Sequence, residues 1–285
     1  MSLSIVSSPA ITTLRSVFTP DPDDAFAWWA IATGRLELPG FKFETSTSHI
    51  QEINEACLRK EYEIAAVSSA AYPKFSKEYA ILSAGASVGR GYGPALASKK
   101  LTEAELKAGA KVGIPGELTT GALLLRMYYP GITTITLPFD KIAGEILNGN
   151  LDAGVLIHEE LLNWKSLGLK RIACLGNKWF QKTGLPLPVG LNVVRKDLGR
   201  PNLKVINHCI RESMELANKH STDAQAWAMK YSRQAESSIG VEFIRMFAND
   251  DTMEMDADCR KGLYVLYVEA VEHGLLDCMP EIDII

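Results

Sequence analysis

Along the first two thirds of the chain, short apolar runs alternate with stretches whose apolar residues recur at helical spacing. Leu14-Arg15-Ser16-Val17-Phe18 reads as a strand, Pro20-Asp21-Pro22-Asp23-Asp24 ends it, and 25–34 reads as a helix. Residues 41–47 alternate as a second strand. Ile50, Ile53 and Cys57 share one face of a helix over 50–59, and 64–67 is a short buried strand. Gly85, Gly89, Gly91, Gly93 and Pro94 exclude a regular helix and predict a loop leading into an extended segment at 95–97. A second series follows, with strands at 111–114, 133–137 and 152–157 and helices at 120–128 and 139–147. From 185 to 198 the chain is extended again, and almost everything after that reads helical.

Two βα series joined by two extended crossings predict an α/β protein of two lobes, on the plan of type II periplasmic binding proteins, with a helical C-terminal tail packing on the first lobe. Residues 1–97 and 192–285 are expected to form the first, larger lobe and 98–191 the second. In such sheets a ligand sits in the crevice outside the carboxyl ends of the strands, so strand ends are where chemistry is sought.

Composition narrows the function. With 285 residues, 47% hydrophobic and 22% charged, the chain has ample material for a core and none of the signature of disorder. Thirty Lys and Arg against 34 Asp and Glu, with no basic block, argue against a nucleic-acid partner. The five cysteines are widely spaced without a CxxC pair, which disfavours a disulfide scaffold or a structural zinc and favours a reducing compartment. No apolar run approaches the roughly 20 residues of a membrane span, and the segment before Arg15 lacks the charged start and long apolar core of a secretory signal. A soluble cytoplasmic protein with no membrane partner is expected, and a homodimer is one assembly open to it.

Several motifs fail for want of context. Gly85-Ala86-Ser87-Val88-Gly89 fits the serine-hydrolase elbow, yet Gly91, Gly93 and Pro94 forbid the helix that must follow. His158-Glu159-Glu160 would need a second histidine where Leu162 stands to be a zinc-protease helix. Neither a metal nor an organic cofactor is implied. His49, His208, His220 and His273 read as surface or packing residues. His158 differs because it ends the strand at 152–157, where a doubly wound lobe presents residues to its crevice, and imidazole can serve there as general base. The same position suits a histidine that only hydrogen-bonds the backbone. Gly116-Glu117-Leu118-Thr119-Thr120-Gly121 opens the next helix, whose free amides make an anion site suited to a carboxylate, unless Thr119 is simply a cap. Ser68 and Ser69 end a strand opposite, and Asp23 and Asp24 open the first helix; each could be no more than a cap.

Thr19-Pro20-Asp21-Pro22-Asp23-Asp24-Ala25-Phe26, the run from Ser83 to Pro94, Pro115-Gly116-Glu117-Leu118-Thr119-Thr120, Gly154-Val155-Leu156-Ile157-His158-Glu159 and Thr183-Gly184-Leu185-Pro186-Leu187-Pro188-Val189-Gly190 occur in this order and spacing. Together they resemble the 1,4-dihydroxy-6-naphthoate synthase family of the futalosine route to menaquinone. The resemblance runs from about Leu14 to Leu198 and implies a binding-protein fold turned lyase. Such an enzyme acts on cyclic dehypoxanthinyl futalosine, a small carboxylate, without a cofactor. It implies His158 as the general base, with Ala66, Val67 and Ser68 and Thr119, Thr120 and Gly121 holding the substrate. Some members carry Ser-Pro-Cys-Pro-Asn-Asp-Thr in the first block, so Asp21 and Asp23 add acid near the crevice, where they could alter the substrate. Glu159 or Glu160 is the rival base. The rival functions are the sibling chorismate dehydratase and a non-catalytic carboxylate-binding protein.

Overall fold

The computed structural model describes residues 11–233 and 237–285. The chain opens with β1 (Thr12–Phe18), α1 (Pro22–Ala32), β2 (Phe41–Thr47), α2 (Ile50–Leu58) and β3 (Ile64–Ser68). β1 lies between β2 and β3 and is parallel to both, as strands joined through helices are. Two short strands follow, β4 (Tyr79–Ile81) and β5 (Ser87–Gly89). The second series runs β6 (Ala95–Ser98), β7 (Lys111–Ile114), α3 (Thr120–Tyr128), β8 (Thr133–Thr136), α4 (Phe139–Asn148), β9 (Ala153–Leu156), α5 (Glu160–Asn163), β10 (Lys170–Cys174) and α6 (Leu175–Thr183). Its strands form a separate sheet in the order β10-β6-β9-β7-β8. β11 (Leu187–Arg195) then returns to the first sheet, antiparallel to β3, β4 and β5. The tail is α7 (Arg200–Lys219), α8 (Ser221–Ala228), α9 (Ser237–Phe247), α10 (Asp250–Met253) and α11 (Ala257–Glu272).

Two sheets, each with its own helices and joined by two passages, give the two-lobed α/β architecture that the pattern implies. The passages lie between Gly89 and Ala95 and between Thr183 and Leu187, so β6 belongs to the second sheet and all of β11 to the first. The strands β4, β5 and β10 and the helix α6 are not foreshadowed by apolar periodicity. β10 begins with the exposed Lys170 and Arg171, pairs only at a sheet edge and slips register between Arg171 and Ala173, so its one buried residue, Ala173, makes no alternating pattern to betray it. β5 lies in a glycine-rich stretch and is held by its pairing with β11 rather than by propensity.

α1 is apolar on every side, from Ala25 through Ile31, and a helix of that kind must be buried all round. It packs among β1 and the tail helices α7 and α8, where Trp28 stacks on Phe18 at 5.7 Å and meets a cluster with Ile206, Ile210 and Met214. That burial fixes the loop before α1, residues 19–21, against the crevice. The tail packs mainly on the first lobe, as expected, but α11 also places Leu266 and Ala270 among Leu175 and Trp179 of the second lobe and Leu187 at the start of β11. Among the described residues no helix is long and apolar enough to cross a membrane.

Candidate active site

A cavity lies between the two sheets, and all seven residues singled out above line it: Ala66, Val67, Ser68, Thr119, Thr120, Gly121 and His158. On the first side the cause is strand length. β1 pairs with β3 only through Ser16–Ile64 and Val17–Ala65, so Ala66 to Ser68 run on past their neighbour. Ser68 is clamped by the buried Asn54 of α2, whose Oδ1 accepts from the Ser68 N–H at 2.9 Å and whose Nδ2 donates to Ser68 Oγ at 3.1 Å. The Ser68 hydroxyl proton is left to be donated elsewhere.

On the second side, Thr119 caps α3, accepting from the Ala122 N–H at 3.3 Å and donating to Gly116 O at 2.8 Å. The first-turn N–H groups of Thr120 and Gly121 have no acceptor within the helix. The Thr120 hydroxyl is already engaged across the crevice: it donates to Val189 O of β11 at 2.6 Å and accepts from the Ala70 N–H at 3.2 Å. Gln51 Oε1 accepts from the Leu118 N–H at 3.1 Å in the same direction. The lobes are thus closed on one another. A methyl group on Gly121 would come within 2.9 Å of Val155 Cγ1, so the helix start has to be small to lie against the sheet.

His158 follows β9 with φ of +54°, a left-handed conformation that costs a non-glycine residue about 1 kcal/mol or more. This turn aims the ring back across the crevice. Nδ1 lies 2.5 Å from Asp21 Oδ2, the ring edge meets Phe139 at 4.5 Å, and Nε2 is buried without a partner among the described residues. Burial pushes the imidazole down to about 4, against the opposing pull of the Asp23 carboxylate, while Arg233 adds to the fall. A neutral ring with Nδ1–H bonded to Asp21 and a lone pair on Nε2 satisfies this geometry.

The acids beside it are crowded. Asp21, Asp23 and Asp24 each offer an oxygen within 4.8 Å of the others. Burial, reinforced by the neighbouring carboxylates, pushes Asp21 and Asp24 up to about 7 and Asp23 well above its ordinary range. Thr19 Oγ1 lies 2.7 Å from Asp21 Oδ2 and 2.6 Å from Asp24 Oδ2, yet a hydroxyl has a single proton to donate. One of the two contacts therefore requires a protonated carboxyl. Three acids in this spacing could embrace a cation, but the Thr19 and His158 contacts read as a proton-sharing cluster. Neither Asp23 nor Asp24 is the helix cap: the cap position is Asp21, and its side chain makes no capping bond.

The rival base residues point elsewhere. Glu159 accepts from Ser232 Oγ at 2.6 Å and from the Arg233 N–H at 3.0 Å, which ties the second lobe to the tail. Glu160 is pushed up to about 8 by burial and does not line the cavity. Sequence reasoning missed Asn54, although a polar residue on the apolar face of Ile50, Ile53 and Cys57 is a readable signal. It also missed Phe243 and Phe247, which reach the cavity from α9 and whose placement no local pattern encodes.

Residues 15–272 match the sequence profile of the family described as menaquinone biosynthesis. The chain belongs to this family. It is 28% identical to a 1,4-dihydroxy-6-naphthoate synthase of Thermus thermophilus, over 94% of this chain and 97% of that protein. A synthase of the same name from Streptomyces coelicolor is also 28% identical, over 94% of this chain and 96% of the other. A crystal structure of an Archaeoglobus fulgidus protein superposes with a TM-score of 0.88 at 35% identity, covering 93% of this chain and 98% of that one. The ligand-binding component of an ABC-type importer from Staphylococcus aureus superposes at 0.72 with 12% identity, covering 95% and 94%, which shows the fold alone to be that of the periplasmic binding proteins. Within this family member a second acidic group, Asp251, Asp256 and Cys259, is already occupied, because Arg90 donates to Asp251 Oδ2 at 2.8 Å and to Asp256 Oδ2 at 2.8 Å.

Proposed function

We propose that this chain is a carbon–carbon lyase that converts cyclic dehypoxanthinyl futalosine to 1,4-dihydroxy-6-naphthoate, with His158 as general base. The observation that carries the reading is His158 Nε2, a buried nitrogen on the cavity wall that meets no protein donor or acceptor among the described residues. A neutral imidazole in that state can take a proton from a bound substrate. As it does, the electron pair runs to the ring carbonyl, the bond to the sugar-derived fragment breaks, and the ring becomes aromatic. Aromatisation supplies driving force, so the protein has to position the substrate and move a proton. One base contributes typically ~10²–10⁴-fold, and orientation in a closed crevice supplies much of the remainder. The free N–H groups of Thr120 and Gly121 and the Ser68 hydroxyl proton supply donors for the substrate carboxylate. Names of relatives, family and cavity chemistry all support this reading.

The test is to incubate the purified protein with cyclic dehypoxanthinyl futalosine and follow the naphthoate chromophore. Turnover is expected. Dehydration of chorismate in its place, or binding without turnover, would replace the reading with the sibling enzyme or with a binding protein. His158→Asn should stay folded and still bind, with kcat lower by ~10² or more. A fully active His158→Asn enzyme with an inactive Glu159 or Glu160 variant would move the base to the neighbouring acid.

A further inference from the structure

We infer that Asp21 is the positioning residue of His158: its carboxylate accepts the Nδ1 proton, holds the ring as the Nδ1–H tautomer with Nε2 free, and stabilises the imidazolium that forms when Nε2 takes a proton. The inference rests on the reading of His158 as the base and adds its partner.

Three observations carry it. The first is contact: Nδ1 and Asp21 Oδ2 are 2.5 Å apart, Asp21 is buried and the His158 side chain is 14% exposed, and the bond joins the second lobe to the loop before α1. The second is the tautomer. A neutral imidazole has one N–H and one lone pair, and an anionic carboxylate can only accept, so the proton must sit on Nδ1 and the lone pair on Nε2. Nε2 is the nitrogen left without a partner on the cavity wall. The third is how Asp21 stays anionic among acids. Asp21 Oδ1 and Asp23 Oδ1 are both buried without a hydrogen-bond partner among the described residues, and the two carboxyls bring oxygens within 4.8 Å of each other, an arrangement that favours one proton in the pair over two charges. Asp21 Oδ2 already faces His158 Nδ1 and Thr19 Oγ1, whereas the hydrogen-bond contact of Asp23 is Ser87 Oγ at 3.5 Å and burial raises its carboxyl well above the ordinary range, so Asp23 is the member that holds the proton. Thr19 Oγ1 adds a second donor to Asp21 at 2.7 Å. Asp21 is thereby held charged and oriented with its remaining capacity directed at His158. Because the turn at His158 is left-handed and its peptide is fixed by the bond from the Leu161 N–H to His158 O at 3.2 Å, the ring is constrained from both ends.

When Nε2 accepts the substrate proton, the dyad gains that one proton and loses none. Nδ1–H stays bonded to Asp21, and the new positive charge lies against the carboxylate until Nε2 passes the proton to the departing fragment or to water and the ring is neutral again. The charged and titratable groups facing the ring are Asp21, Asp23 and Asp24 from the start of α1, Glu159 from its own segment, and Arg233 from the tail. Only Asp21 touches a ring nitrogen among the described residues.

The experiment uses the intact protein with 15N-labelled histidine. Long-range 1H–15N correlation spectra of the wild type should show the neutral His158 ring as the Nδ1–H tautomer, a readout that needs neither substrate nor variant. Asp21→Asn keeps the shape and removes the charge. It should lower kcat ~10²-fold or more with KM within about threefold, because Asp21 acts through the ring and not on the substrate. In the same variant the imidazolium of His158 should form at lower pH than in the wild type. A wild-type ring protonated on Nε2, or an Asp21→Asn enzyme with kcat within about threefold of wild type and an unshifted titration, overturns the inference. If the wild type turns over no futalosine-derived substrate, the functional reading falls, while the tautomer and titration still decide the role of Asp21. If Asp21→Asn does not fold, the wild-type spectrum decides alone.

Discussion

Replacing Thr120 with Val tests whether the bonds across the crevice govern closure. Val keeps the shape of Thr and removes only the hydroxyl, whose oxygen donates to Val189 O at 2.6 Å and accepts from the Ala70 N–H at 3.2 Å. In the closed form the variant leaves the Ala70 N–H without its acceptor, while Val189 O keeps the Ser69 N–H at 3.1 Å. A buried group left unpaired costs about 1–3 kcal/mol, but opening the crevice returns it to water, so the loss falls on the open-to-closed equilibrium rather than on folding. Taking about 2 kcal/mol for this group, the equilibrium moves roughly 30-fold toward open. The population able to hold substrate on both sides falls in proportion, and KM should rise by about 3- to 30-fold, the upper figure applying when the free protein is mostly open. kcat should stay within about threefold, since the chemistry begins only once closed. Steady-state kinetics by naphthoate release would measure this. Small-angle scattering should show a larger particle for the ligand-free variant and contraction of both proteins on binding. An unchanged KM with a lowered Tm would refute the reasoning, because the bridge would then belong to the fold and not to closure.

Two further outcomes follow from the buried acids and from one glycine. The carboxyls of Asp21, Asp23 and Asp24 are raised above the unfolded value of 3.8, so the folded chain holds more protons than the unfolded one above that value, and the stability they contribute is full below it and lost as pH rises, through about 7 for Asp21 and Asp24. His158 acts in the opposite sense, its stability present above 6.5 and lost as pH falls toward about 4, which leaves the acids dominant between about pH 6.5 and 8. Asp23→Asn should therefore melt higher than the wild type at pH 8, by about 1–4 kcal/mol in stability, with the gap narrowing toward pH 5; equal gaps in melting scans at both ends would contradict the assignment. Gly85 has φ of +89°, and a methyl group there would lie 1.9 Å from Asn192 Nδ2. Gly85→Ala should cost about 1–3 kcal/mol and lower Tm by several degrees, with the steric part recovered in the double variant Gly85→Ala/Asn192→Ala. A Tm equal to wild type would show that the loop can shift.

What was legible in the chain and what was not separates along the range of the interactions. Elements that bury a face announce themselves: the all-round apolar run of α1 and the alternation of Phe41–Thr47 needed nothing from elsewhere in the molecule. Strands that exist because a partner edge is waiting, such as Ser87–Gly89 on β11 and Lys170–Cys174 on β6, have no pattern of their own and stayed hidden. The same division runs through the site. Strand-end and helix-start logic brought His158, Ser68 and Thr119 to the crevice, because where a strand ends is a local property. What each group does there is set by partners distant in sequence. The Thr120 hydroxyl, which the resemblance offers to the substrate, bonds Val189 and Ala70 in the closed crevice. Asp21 stood out only as an acid in the break before α1, yet it meets a ring 137 positions further along the chain, across the crevice. Glu159 looked like an alternative base until the tail supplied Ser232 and the Arg233 N–H to both its oxygens. A single sequence thus shows which residues reach a crevice before it shows which are free to act, since freedom is a matter of what the rest of the fold has left unpaired. By that criterion Nε2 of His158, with its opposite nitrogen held by a carboxylate and its own lone pair unmet, is the atom that the fold leaves available for chemistry.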